Sequence, residues 1–124
     1  MSPVVLDSAV LIDVLRGDDL AVSFLKALDE VPFCSEITRV EVLRGVRSNE
    51  RPAVETLFQA LHWIPVDELI ARRAGHLGRH WRRSHAAISS ADLVIAATVD
   101  EIDGTLATAN VRHFPMFEGL EPPY

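Results

Sequence analysis

The sequence predicts an α/β fold of three layers, a central and mainly parallel sheet flanked by helices, and three observations carry that expectation. Short apolar runs (PVVLD, VPFCS, GTLAT) alternate with longer stretches of helical periodicity, the arrangement that yields parallel strands joined by helical crossovers. One helical stretch holds Leu93, Val94, Ile95, Ala96, Ala97, Val99 and Ile102 and leaves almost no polar side, so it belongs in the interior. At 124 residues and 48% hydrophobic, the chain reads as one domain, residues 1–124, that can bury a core without staples.

Taken in order, PVVLD reads as the first strand and SAVLIDVLRG as a helix, with Leu11 and Val14 at i,i+3 and Gly17 as its stop. DDLAVSFLKALDE follows as a second helix: Leu20, Phe24 and Leu28 recur at i,i+4 and Asp18 stands at the N-cap. VPFCS is the second strand, and ITRVEVLRGVR a helix closed by Arg44, Arg47 and the polar linker SNERP. Residues 52–62 make another helix, with Val54, Leu57, Phe58 and Leu61 in one stripe. HWIPV reads as an extended link broken by Pro65, and VDELIARRAGHLGRHWRRS as the longest helix. SSADLVIAATVDEIDG is the buried helix, ended by Gly104. GTLATAN gives a strand and turn, and FEGLEPPY a last short edge strand.

Composition excludes several classes. No apolar run reaches the roughly 18 residues of a membrane span, and Asp7 interrupts the N-terminal apolar stretch too early for a secretory signal. The single cysteine, Cys34, excludes a disulfide framework and a cysteine zinc site. Its apolar setting predicts an inert buried thiol, and together these features place the protein in the cytoplasm. The net charge of −6 disfavours nonspecific attraction to nucleic acid. Arg72, Arg73, Arg79, Arg82 and Arg83 nevertheless crowd together with His76, His80 and His85, as either a solvated helix face or an edge for phosphate or an acidic partner.

Ligands in parallel sheets gather at the carboxyl ends of the strands, and Asp7 ends the first strand. Two further acids are locally awkward: Glu41 among Val40, Val42 and Leu43, and Asp92 heading the apolar helix. Local explanations exist for both. Thr38–Arg39–Val40–Glu41 has the T-x-x-E spacing of a capping box, and Asp92 follows Ser89 where a helix dipole favours an acid. If instead Asp7, Glu41 and Asp92 share one edge, they stay ionised together only beside a cation. All-oxygen donors select Mg²⁺ or Mn²⁺. Such an ion lowers the pKa of a bound water and holds a phosphate for attack, so phosphodiester hydrolysis is the expected chemistry. TANVRHF follows the last inner strand. There Thr108 and Asn110 are placed to orient a carboxylate or a water, and Arg112 or His113 to touch phosphate. The alternatives are left-handed turn chemistry for Asn110 and a packed imidazole for His113.

The blocks LDSAVLIDVLRG, TRVEVLRGVR, SSADLVIAATVDEIDGTLATANVRHF and GLEPPY, in that order, resemble the PIN-domain ribonucleases, and most closely the VapC toxins of bacterial toxin–antitoxin pairs. The resemblance spans essentially the whole chain and is weakest over residues 48–88. It implies a PIN-like fold and a Mg²⁺- or Mn²⁺-dependent endoribonuclease acting as the toxin of a type II toxin–antitoxin system. Asp7, Glu41 and Asp92 are then the metal ligands and catalytic acids, with Ser8 supporting the first. Where many members carry a fourth acid this chain has Asn110, which favours one metal ion over two. The resemblance also implies an RNA substrate, a homodimer and a VapB-like antitoxin whose helix would lie along Leu11, Val14, Leu15, Phe24 and Leu25. A haloacid-dehalogenase-like phosphatase would need an acid at Ala9, and a receiver-type phosphoacceptor domain a late lysine where only Lys26 exists. A catalytically inactive PIN-like scaffold for protein binding is the remaining alternative; converging carboxylates would serve it no purpose.

Overall fold

The structure is a computed structural model describing residues 2–82, 84 and 88–124; Arg83 and His85 of the cationic cluster lie outside the described residues. Four parallel strands, β1 (Val4–Leu6), β2 (Phe33–Ser35), β3 (His62–Ile64) and β4 (Thr105–Ala107), form one sheet in the order β3-β2-β1-β4. Each crossover carries a pair of helices. α1 (Ser8–Leu15) and α2 (Asp19–Ala27) join β1 to β2, and α3 (Glu36–Gly45) and α4 (Arg51–Gln59) join β2 to β3. α5 (Glu68–Trp81) and α6 (Ser90–Glu101) join β3 to β4.

Side chains alternate across a strand with period two, and that alternation builds the layers. Val4, Leu6, Cys34 and Ala107 face Val10, Leu11, Val54 and Phe58 on one side. Val5, Phe33 and Leu106 face Ile95, Ala96 and Val99 of α6 on the other. The apolar α6 is central as expected, because α5 covers its remaining face through Ile70 and Ala74 against Ala97. Arg39 of α3 lies over Trp63 of β3, 4.0 Å from the ring centroid, and fastens the edge of the sheet to the helical layer. Burial pushes the Cys34 thiol up to about 12, the inert buried cysteine that its setting predicted.

Several local expectations need correction. HWIPV contains a strand: β3 pairs with β2 over Phe33↔His62, Cys34↔Trp63 and Ser35↔Ile64. Pro65 only terminates it, as proline can on an edge strand. FEGLEPPY forms no strand among the described residues, since Pro122 and Pro123 lack the N–H that a ladder needs. Its Phe117 and Leu120, with Met116 just before it, pack on the α6 side instead, and the Tyr124 hydroxyl donates to Asp13 Oδ2 at 2.5 Å. α6 stops at Glu101, and Asp103, not Gly104, adopts the left-handed backbone (φ 51°). Gly104 is constrained by close approach: a Cβ there would sit 2.9 Å from the Pro3 carbonyl oxygen. Leu11, assigned to a partner groove, is fully buried core, whereas Leu15, Phe24 and Leu25 are only partly covered.

Candidate functional site

β1 and β4 run in register with Leu6 opposite Ala107, so the residues that follow, Asp7 and Thr108, meet at the carboxyl edge of the sheet. The Thr108 hydroxyl donates to Asp7 Oδ2 at 2.6 Å and accepts the Asn110 backbone N–H at 2.9 Å. Asp7 is also the N-cap of α1, its Oδ1 accepting the Ser8 N–H at 2.7 Å. β1 is the inner strand at which the connections diverge, to β2 on one side and to β4 on the other. Such a point opens a crevice, and Asp7 stands in it.

Asp7 is only 3% exposed, so its charge is costly. Burial above all raises its pKa; the Thr108 hydroxyl opposes the rise, and Asp92 adds to it. Smaller contributions come from the Ser8 N–H, which lowers it, and Glu41, which raises it. The carboxylates therefore feel one another, and a cation among them would relieve the repulsion.

Glu41 reaches this place from within α3. Ser35, not Thr38, caps that helix, accepting the Ile37 N–H at 3.2 Å. Thr38 is therefore an interior, fully buried residue, and the capping-box explanation of Glu41 is overturned. Glu41 Oε1 instead accepts the Ser8 hydroxyl at 2.5 Å, and Ser8 Oγ lies 3.2 Å from Thr38 Oγ1. Ser8 has one proton to give. It donates to the carboxylate, and Thr38 completes the second contact with its own proton.

The dipole explanation of Asp92 is correct as far as it goes. Ser89 caps α6 and accepts the Asp92 N–H at 3.1 Å, which places the acid in the first turn. Its carboxylate serves more than the helix, however, because His113 Nδ1 stands 3.2 Å from Asp92 Oδ2. His113 is 57% exposed at its side chain, so the packed-imidazole alternative is also wrong. Asn110 has φ −101°, which removes the left-handed-turn explanation for it.

Asp7, Glu41, Asp92 and Asn110 thus line one open cleft of about 290 Å³ with Ser89 and His113. Among the described residues, no three His, Cys, Asp or Glu side chains are drawn together tightly enough to hold an ion unaided. That suits Mg²⁺, which takes one or two carboxylates and completes its shell with water and substrate oxygens. The donors are all oxygen apart from His113, and Glu41 and Asp92 each keep one carboxylate oxygen unbonded among the described residues. The set fits a hard divalent cation. Sequence reading undervalued Thr38 and His113: TRVE signalled a cap, and nothing in NVRHF signals which way the imidazole faces.

The PIN domain family matches residues 4–117. Ribonuclease VapC19 of Mycobacterium tuberculosis is 45% identical over 122 residues, 96% of this chain and 98% of that protein. Ribonuclease VapC10 of the same organism is 45% identical over 123 residues, covering 98% of this chain and 92% of its own length. A toxin–antitoxin complex from Klebsiella pneumoniae contains a chain with the same fold, at a TM-score of 0.84, 24% identity and 98% coverage of both chains.

Proposed function

The chain belongs to the PIN domain family, and on that premise we propose that it is a metal-dependent endoribonuclease, the VapC-type toxin of a type II toxin–antitoxin pair. The observation that carries the proposal is the meeting of Asp7, Glu41 and Asp92 in one cleft, in a chain 45% identical to named ribonucleases. Asp7, Glu41 and Asp92 hold Mg²⁺, with Mn²⁺ as substitute. When bound, the ion supplies a nucleophile at neutral pH and neutralises charge on the phosphate.

The protein's own groups do the rest. Thr108 and the Ser8 N–H fix the Asp7 carboxylate, and the Ser8 hydroxyl fixes Glu41. Asn110 contributes an amide that orients water at the open side. Residues 1–124 form a single catalytic domain acting on cytoplasmic RNA; no described helix is long and apolar enough to cross a membrane. A VapB-like antitoxin and a homodimer complete the assembly, with the half-covered Leu15, Phe24 and Leu25 offering apolar surface to the antitoxin.

The test is incubation of the purified protein with total RNA, with Mg²⁺, Mn²⁺ or EDTA, beside Asp92→Asn. Discrete cleavage that needs both the metal and Asp92 is expected. Full cleavage in EDTA, or by Asp92→Asn, overturns the assignment. Absence of both RNA cleavage and metal binding by calorimetry would return the chain to the scaffold alternative.

A further inference from the structure

An acidic cleft in a protein of net charge −6 repels the polyanion it would cleave, so cations must receive the strand nearby. Four of the chain's twelve Lys and Arg residues, Arg72, Arg73, Arg79 and Arg82, fall on α5 or its C-cap. They are not equivalent. Arg72 is paired with Glu68 at 2.7 Å and Arg73 with Asp100 at 3.2 Å. Arg79 and Arg82 are exposed and have no acidic partner among the described residues.

Their place relative to the cleft follows from helix packing. α5 and α6 run antiparallel: Arg73 reaches Asp100, Ala74 packs with Ala97, and Gly78 lies against Leu93. The last contact is close, since a Cβ on Gly78 would come 2.8 Å from Leu93 Cδ1. Leu93 is the residue after Asp92. At about 1.5 Å rise per residue, Arg79 to Arg82 continue for one turn beyond that contact, alongside the capped start of α6. The end of the helix that carries the unpaired arginines therefore lies beside the first turn of α6, which holds Asp92, and the paired end lies toward the other end of α6. On the turn after β4, between the cleft residues Asn110 and His113, Arg112 is also exposed and without an acidic partner among the described residues.

We propose that the RNA strand enters the cleft over its α6 side, with Arg79 and Arg82 at the end of α5 and Arg112 on the turn after β4 holding backbone phosphates. This rests on the ribonuclease reading and gives that site a substrate path. Guanidinium groups suit the task because they bind phosphate oxygens through paired N–H donors. Arg79 and Arg82 act on binding and are not catalytic.

The test uses the full chain carrying Asp92→Asn, so that the probe survives, and a fluorescein-labelled pool of random-sequence single-stranded RNA. Affinity is measured against salt concentration. Each phosphate contact with a single strand contributes about 0.7 to the slope of log affinity against log salt. Arg79→Ala/Arg82→Ala is expected to flatten the slope by about 1.4, and Arg112→Ala by about half as much. Lys26→Ala/Arg51→Ala removes the same net charge from other helices and should leave the slope unchanged. Unaltered melting curves would show that the folds are intact. If the parent binds RNA and Arg79→Ala/Arg82→Ala matches it, or if the Lys26/Arg51 control falls equally, the proposal is overturned while the ribonuclease reading stands. A parent that binds no RNA at any salt overturns both.

Discussion

The two walls of the cleft are built on opposite principles. On the α1–α3 side, Asp7, Ser8 and Thr38 are buried: Thr108 donates to Asp7, the Ser8 hydroxyl joins Glu41 and Thr38, and the Ser8 backbone N–H links the two sets. On the α6 side, Asp92 is held by one cap contact and one imidazole, and both His113 and Asn110 face solvent. The first wall is a fixed mount for charge, and the second is adjustable. Buried polar networks are rigid when fully satisfied and costly when broken, and among the described residues no buried side-chain polar atom lacks a partner. The contrast suits the proposed hydrolase, in which a metal would be positioned while a flexible polymer enters and leaves.

Substitutions can break or sharpen this contrast. The largest effect is expected from Asp7→Asn. It should abolish RNA cleavage yet raise the melting temperature in metal-free buffer, because it removes a buried charge that Asp92 and Glu41 oppose. The unsubstituted protein, in turn, should gain about 2.7 kcal/mol from Mg²⁺ at a hundred times its dissociation constant, on the order of 10 °C in Tm. Asp7→Asn should gain little; equal metal stabilisation of the two in differential scanning fluorimetry would remove Asp7 from the ligand set.

Next come the supports of the fixed wall. Ser8→Ala leaves Glu41 and Thr38 short of a partner and should cost about 1–3 kcal/mol of stability by denaturant titration. Thr108→Val should weaken Mg²⁺ binding by about 10- to 100-fold, the usual effect of losing a group that orients a metal ligand, as read by calorimetry. The adjustable wall should respond less. His113→Ala is expected to change stability by at most about 0.5 kcal/mol, and a larger loss would mean that this wall is also fixed. Asn110→Asp adds a carboxylate where solvent can screen it, and should lower the Mg²⁺ concentration needed for half-maximal cleavage without changing Tm.

The same contrast explains what could be read from the sequence. The fixed wall hangs on strand ends and helix starts, which leave local signatures: VVLD, then a helix, then a strand ending at Thr108. Asp7 is legible there as a residue out of place; Asp92, at the start of α6 on the other wall, is legible in the same way, and Glu41, inside α3, as an acid among Val40, Val42 and Leu43. Partners were less so. Thr38 and Ser35 are hydroxyl residues three positions apart, so either could begin a capping pattern, and only tertiary contact with Ser8 decides between them. β3 has three residues and a proline at its exit, too little alternation to separate a strand from a link. The orientation of His113 is set by a short turn after β4 with no periodicity of its own.

The hydrogen bond between Asp7 and Thr108 spans 101 residues of chain. During synthesis, the Asp7 carboxylate thus emerges long before the threonine that holds it, and before β4, which pairs beside it. A half-made chain accordingly lacks the assembled cleft, which on the proposed function is the catalytic site. On the proposed function, cleavage then begins only when the last strand is in place, so folding itself times the onset of activity.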